Sequence, residues 1–236
     1  MHQKTMLVIL QARLGSSRLP GKVMKIVNGR PILLWQLDRI RTTYGVTEII
    51  VATTNKDLDD KLCSMLAKEH IRTWRGDEQD VLQRYCDIIR IEDPDWIMRL
   101  TGDCPLFMPE ICKEMISVFP RNHVDYFSNT LERTFPKGCD IEIVRAVSLL
   151  ELEKFAKSPA EREHVTYGLY TRPNDFRCAN FSSLSNDSSY RWTLDTAVDL
   201  QFIESVYAHF AGKEIEFGYS DVMELIKLGK VEGLFE

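Results

Sequence analysis

Met6 to Lys22 reads MLVILQARLGSSRLPGK. Its first six residues, MLVILQ, are a short run rich in aliphatic side chains, the pattern of a buried strand. The run is far too short to span a bilayer. Ala12 to Lys22 then reads as a loop, with Gly15, Ser16, Ser17, Pro20 and Gly21 breaking any regular pattern. Arg13, Arg18 and Lys22 bring three cations into it. Glycines let backbone N–H groups close on a phosphate; arginines offer forked donors to its oxygens, and lysine adds a point charge. The spacing is neither the Walker G-x-x-x-x-G-K-[ST] nor G-x-G-x-x-G. The turn therefore reads either as a polyanion grip or as a solvated surface loop.

Outward from this stretch, strands and helices alternate. Pro31 stands where a first helical residue would, and Ile32 to Thr43 has helical periodicity. Glu48 to Ala52 is a second strand, Asp57 to Glu69 a helix, His70 to Trp74 a third strand and Asp77 to Ile91 another helix. Trp96 to Leu100 is a fourth strand, ending at Thr101-Gly102-Asp103-Cys104-Pro105. This rhythm predicts an α/β fold with a parallel sheet covered by helices, whose ligands bind beyond the carboxyl ends of the strands. The segments after Gln11, Trp74 and Leu100 then share one rim. The second half is less regular. It offers short strands at Val124 to Ser128, Asp140 to Val144, Phe176 to Asn180 and Tyr190 to Leu194. Its helices are expected at Ala146 to Ala156, Pro159 to Tyr170, Val198 to Phe210, and from a Ser220 cap to Leu228, with Gly229 as the stop. Asn180 to Ser189 is the best candidate for a loop.

With 236 residues, 44% apolar and 28% charged, the chain suits one sizeable globular domain. A net charge of -5 gives no basic excess for nucleic acid and no polybasic run for a membrane surface, so phosphate binding must rest on a local cluster of cations. None of the six cysteines forms a C-x-x-C pair, which leaves zinc and thioredoxin-like readings without support. Met1 to Met6 has no signal-peptide pattern, and a reducing cytoplasm is the expected compartment.

The string QARLGSSRLPGK resembles the signature loop of the CMP-sugar synthetases, the acylneuraminate and 3-deoxy-manno-octulosonate cytidylyltransferases, and is most similar to their spore-coat-polysaccharide branch. The likeness continues through RGDEQDVLQRY (Arg75 to Tyr85), LTGDCPL (Leu100 to Leu106), EREHVT (Glu161 to Thr166) and RWTLDTAVDL (Arg191 to Leu200). It implies a three-layer α/β/α sandwich with a mostly parallel mixed sheet, of the nucleotide-diphospho-sugar transferase type. It also implies a single domain, with residues 1–120 holding the nucleotide and residues 121–236 the acceptor and a homodimer contact. The implied partners are CTP and an acidic small-molecule acceptor, and the implied cofactor is Mg2+. Arg13, Arg18 and Lys22 would be catalytic. Nucleotide contact would fall on Gln11, Ala12, Arg13, Gly15, Ser16, Arg75, Gly76, Asp77, Arg84 and Thr101, with Asp80 as a further candidate.

Other readings stand beside these. Asp103, at a strand end next to a glycine, suits a magnesium ion or satisfies turn N–H groups. The resemblance pairs it with Asp195, in Leu194-Asp195-Thr196, which could instead cap the following helix unless Thr196 or Asp199 does so. Asp77 is equally a helix cap, and Asp80 and Asp87 are alternative partners for Arg84. Asp140 and Glu142 alternate on a strand and share one face, turned to water or to the acceptor. Arg162, His164 and Arg191 are acceptor candidates, with His164 either a base or a structural histidine. Phe181, Tyr190 and Trp192 read as core or interface rather than as base-stacking groups. The reaction expected is in-line displacement at the α-phosphorus of CTP. Two rivals are a glycosyltransferase on the same fold, for which Gly102-Asp103-Cys104 lacks the second acid of a D-x-D, and a nucleotide-sensing module without catalysis.

Overall fold

The computed structural model describes residues 6–43 and 48–235. The opening segment, residues 1–5, read above for a leader pattern, lies outside them. Nine strands and nine α-helices are found among the described residues. β1 (Met6–Gln11) is central, with β4 (Glu48–Thr54) and β6 (Trp96–Thr101) parallel to it on either side. β5 (Arg72–Gly76) extends the sheet beyond β4. Beyond β6 come β8 (Glu142–Arg145), β7 (Tyr126–Ser128) and β9 (Cys178–Asn180), and β8 alone runs antiparallel to its neighbours. The seven strands follow the order β5-β4-β1-β6-β8-β7-β9. β2 (Ile26–Val27) and β3 (Arg30–Pro31) form a separate small hairpin.

The alternation of β1 divides the core in two. Met6, Val8 and Leu10 join a cluster with α1 (Ile32–Arg41), α2 (Asp60–Lys68), α4 (Pro109–Val118), α8 (Ala197–His209) and α9 (Tyr219–Lys227). Leu7 and Ile9 point to the opposite face, against α3 (Val81–Glu92), α5 (Ala146–Glu153) and α7 (Tyr167–Tyr170). Each fully buried aliphatic side chain contributes about 1.5–3 kcal/mol of transfer free energy. That is why an unbroken apolar run sits in the middle of the sheet.

The chain leaves β1 toward β4 and β5, then crosses back to β6 on the other side of β1. This reversal opens a crevice at the carboxyl ends of β1 and β6, the place where open α/β sheets bind ligands.

Several expectations are corrected. The third strand begins at Arg72 rather than His70, because His70 turns with a φ of 56°. The helix expected from Asp77 begins at Val81: Asp80 is the cap, accepting the Gln83 N–H at 2.9 Å, and Asp77 instead accepts the Gln79 N–H at 2.7 Å in the turn before it. Pro31 precedes its helix by one residue, held in β3. Asp140 lies outside β8, so it and Glu142 do not share a strand face. The helix expected over Pro159 to Tyr170 is two, α6 (Pro159–Glu163) and α7, parted at Val165, whose φ is 47°. Tyr190 to Leu194 is reduced to isolated bridges at Tyr190 and Arg191. Gly218, not Ser220, caps α9, and Gly229 follows it at φ 65°. α4 and the β2–β3 hairpin were not expected.

Candidate active site

The loop after β1 is built from inside. Leu14 and Val23 are buried and anchor its two ends. The Leu14 carbonyl accepts from Ser16 N–H at 2.8 Å and Gly21 N–H at 3.1 Å, closing the loop on itself. Gly21 has a φ of 66°, a left-handed turn that costs glycine least. Asp59, nearly inaccessible, accepts the Leu14 N–H at 2.7 Å and also binds the Thr54 N–H and hydroxyl. One buried carboxylate thus ties the loop to the end of β4.

The loop brings its cations to the crevice. Lys22 Nζ lies 2.8 Å from an Asp195 oxygen and 3.5 Å from an Asp103 oxygen. Arg18 reaches the second Asp195 oxygen at 3.1 Å. Burial pushes the Asp103 carboxyl up, but the Lys22 ammonium and hydrogen bonds outweigh it and hold the group below the usual carboxylate range. Asp195 is free for this role because Thr196 and Asp199 form the capping box of α8. Arg13 pairs with Glu78 across the crevice at 2.5 Å.

The floor is backbone and small side chains. The Gly102 N–H donates to the Gln11 carbonyl at 2.8 Å, and a Cβ on Gly102 would stand 3.0 Å from that of Ala12. Arg84 and Arg99 come up through this floor. Arg84 is 3% exposed and burial lowers its pKa; Arg99 donates to Gln11 Oε1 at 3.2 Å and is ion-paired with Glu142. Together these groups line a cleft of roughly 800 Å³, to which Pro159, Glu163 and His164 also contribute.

Gln11, Ala12, Arg13, Gly15, Ser16, Arg18, Lys22, Arg84, Thr101, Asp103, His164 and Asp195 all line this one cleft. Other expected residues do not. The Arg75 guanidinium is spent on Asp60 and on the Thr54 and Lys56 carbonyls at 2.6–2.9 Å. Gly76 instead makes room for the Arg84 stem, and Asp77 stays in its turn. Asp80 binds Arg162. Asp140 is gripped by both arms of Arg133 at 2.6 and 2.9 Å. Glu142 is 7% exposed beneath the cleft, facing neither water nor the opening. Arg191 is paired with the fully buried Asp199 at 2.5 Å. Trp192 is buried, as expected of a core residue, and Phe181 and Tyr190 pack partly buried against the core.

Glu78, Gln79 and Arg99 line the cleft without having been singled out. Arg99 had a signal: a guanidinium within the otherwise apolar WIMRL must have a partner or a ligand. Asp59 had none, since its role depends on a loop 45 residues away in sequence.

Comparison with known proteins agrees with this geometry. A sequence model of the cytidylyltransferase family matches residues 7–211. The chain is 31% identical over 227 residues to the spore coat polysaccharide biosynthesis protein SpsF of Bacillus subtilis, covering 93% of each chain. It is 27% identical to the 8-amino-3,8-dideoxy-manno-octulosonate cytidylyltransferase of Shewanella sediminis, over 72% of this chain and 69% of that one. The solved structure of a cytidylyltransferase from Leptospira borgpetersenii superposes with a TM-score of 0.90 at 33% identity, over 95% and 94% of the two chains. No helix among the described residues is long and apolar enough to cross a membrane. The chain belongs to the cytidylyltransferase family and is a nucleotidyltransferase.

Proposed function

We propose that the protein transfers CMP from CTP to an acidic sugar, releasing pyrophosphate, in cytoplasmic synthesis of a surface polysaccharide precursor. The observation that carries this is the meeting of Lys22 and Arg18 with Asp103 and Asp195 at the carboxyl ends of β1 and β6. A triphosphate laid along this loop meets Arg13, Arg18 and Lys22, and the flat Ala12–Gly102 floor lets it approach the backbone. His164 also lines the cleft, and we assign its end of the cleft to the acceptor.

The two carboxylates fit a magnesium ion. They converge on one position, taken here by the Lys22 ammonium, and magnesium favours one or two carboxylates completed by phosphate oxygens and water. Among the described residues no cluster of three or more acidic, cysteine or histidine side chains could hold a metal alone, so substrate oxygens would have to complete the shell. Bound there, magnesium would neutralise charge on phosphate oxygens. In the reaction an acceptor oxygen forms a bond to the α-phosphorus as the bond to the bridging oxygen of pyrophosphate breaks. The loop cations offset the charge gathering on the leaving group, and no covalent bond to the protein is required.

The test is pyrophosphate release with CTP, magnesium and a panel of keto-acid sugars. Losing one pre-organised charge partner of a transition state costs on the order of 10²–10³ in kcat. Lys22→Met and Asp103→Asn should each fall by that much while keeping wild-type circular dichroism; near-normal turnover in both would reject the assignment. We further propose a homodimer through the second half, whose exposed apolar side chains include those on α5 and α7.

A further inference from the structure

Val165 is a β-branched residue with a φ of 47°, a conformation such side chains rarely adopt. The Thr166 N–H closes back on the His164 carbonyl, two residues earlier. A turn closed in this way with a positive central φ is the rare, strained form of the γ-turn. It persists only where its surroundings over-determine it. Val165 is completely buried, and Thr166 is 2% exposed. His164, the first residue of the turn, lines the cleft.

A single carboxylate holds this turn from beneath. Glu142 Oε2 accepts the Thr166 hydroxyl at 2.5 Å and the Tyr126 hydroxyl at 2.8 Å. Its Oε1 is ion-paired with Arg99, which donates in turn to Gln11 Oε1 at the end of β1. The carboxylate therefore gathers donors from β6, from β7 and from the turn, and two of the groups it reaches lead into the cleft. Such a network is all-or-none, because each member left unpaired is a buried polar group without a partner.

We infer that Glu142 and Thr166 are positioning residues: they hold the strained turn at Val165 so that His164 faces the acceptor end of the cleft. This goes beyond the cytidylyl-transfer reading and rests on it only for the identity of that end. Glu142 acts through His164 and Arg99 and touches no substrate itself.

The test uses the full chain with isotope-labelled histidine, the His164 imidazole signal being assigned by its loss in His164→Gln. Thr166→Val deletes one hydroxyl at nearly constant shape, and Glu142→Gln keeps the outline of the carboxyl group while removing its charge. In both, the His164 signal should shift or broaden, and amide exchange at Val165 and Thr166 should quicken by at least about tenfold. Thr166→Ser, which restores the hydroxyl, should return both to wild-type values. Calorimetric CTP affinity should stay within about twofold in Thr166→Val, since Thr166 bonds to Glu142 and not to the cation loop. An unmoved His164 signal in Thr166→Val, a serine variant that behaves like the valine one, or a parallel loss of CTP affinity would each overturn the inference. Absence of CTP binding in the wild type would instead sink the cytidylyl-transfer reading, while the His164 signal would still decide this one.

Discussion

Lys22 is a partly buried ammonium serving two carboxylates, with Arg18 sharing one of them. Its charge is shared between these two carboxylates, so a triphosphate bound as proposed would compete for the same ammonium. Arg84 shows the same economy of space. It lies against Gly76, where a Cβ would stand 2.5 Å from Arg84 Cγ and 3.2 Å from Cδ. Gly76→Ala must therefore displace a buried stem, not a mobile tip. Overpacking of this kind costs about 1–3 kcal/mol, equivalent to roughly 2–12 °C of Tm for a chain of this size. CTP affinity should fall with it, because Arg84 lines the cleft. Thermal unfolding and CTP titration measure both; a Gly76→Ala protein matching the wild type in each would show that Arg84 is not held by this wall. At this scale legibility depended on whether partners are near in sequence. Arg13, Arg18 and Lys22 share one short loop and could be read together. Arg75 could be read only as a cation beside a helix start, because the Asp60 and carbonyl partners that claim it lie across β4. Glu142 read as an acid turned to water or to the acceptor because nothing near it in sequence announces Arg99, Tyr126 or Thr166.

Among the elements, α6 illustrates a short helix kept by its cap. Ser158 and Glu161 form a capping box: the Glu161 carboxylate accepts the Ser158 N–H at 3.0 Å and hydroxyl at 2.8 Å, and is ion-paired with Arg172. Burial raises the Glu161 pKa, but these bonds outweigh it and bring it from 4.5 down to about 2. A carboxyl whose folded pKa is depressed contributes stability that is present above its unfolded pKa and lost as pH falls through the folded one. Glu161→Gln should therefore destabilise the protein most above about pH 4.5, and the gap to wild type should narrow as pH drops toward 2. Denaturant titrations of both proteins between pH 7 and 3 would reveal this; a gap independent of pH would deny Glu161 the role. Pro159 and Glu163 line the cleft, so acid should loosen that wall as well. The boundary of this helix also marks where sequence periodicity fails. The sequence between Pro159 and Tyr170 reads as one helix, yet the chain turns at Val165, where the Thr166 hydroxyl is held by Glu142. In the same way Tyr190 to Leu194 has strand-like residues but meets only single bridging partners. The first half was easier to read, because its central strands β1 and β6 are largely buried and helices mostly alternate with its strands.

Across the whole molecule, the described residues expose apolar side chains at places such as Ile26, Leu58 and Leu184, and several around α5 and α7. There Val147, Phe155, Tyr167 and Tyr170 are all exposed, and the two helices touch. Tyr167 and Tyr170 meet edge to face at 5.6 Å, and Tyr170 lies 6.0 Å from the buried Tyr126, which bonds to Glu142. A contiguous apolar surface in water favours association, whereas scattered residues do not. A second copy of the chain seated on this surface would bury it by two-fold symmetry, the commonest arrangement of homo-oligomers. It would also exclude water from the side of the sheet that supports the acceptor end of the cleft. Light scattering at micromolar concentration should give twice the 27.4 kDa of the chain. Tyr167→Glu combined with Val147→Asp should give the single mass with wild-type circular dichroism, because charge on an apolar contact opposes association without disturbing the core. A wild-type chain that scatters as one copy would refute the dimer, and a double variant that still pairs would place the contact elsewhere and leave this surface to water.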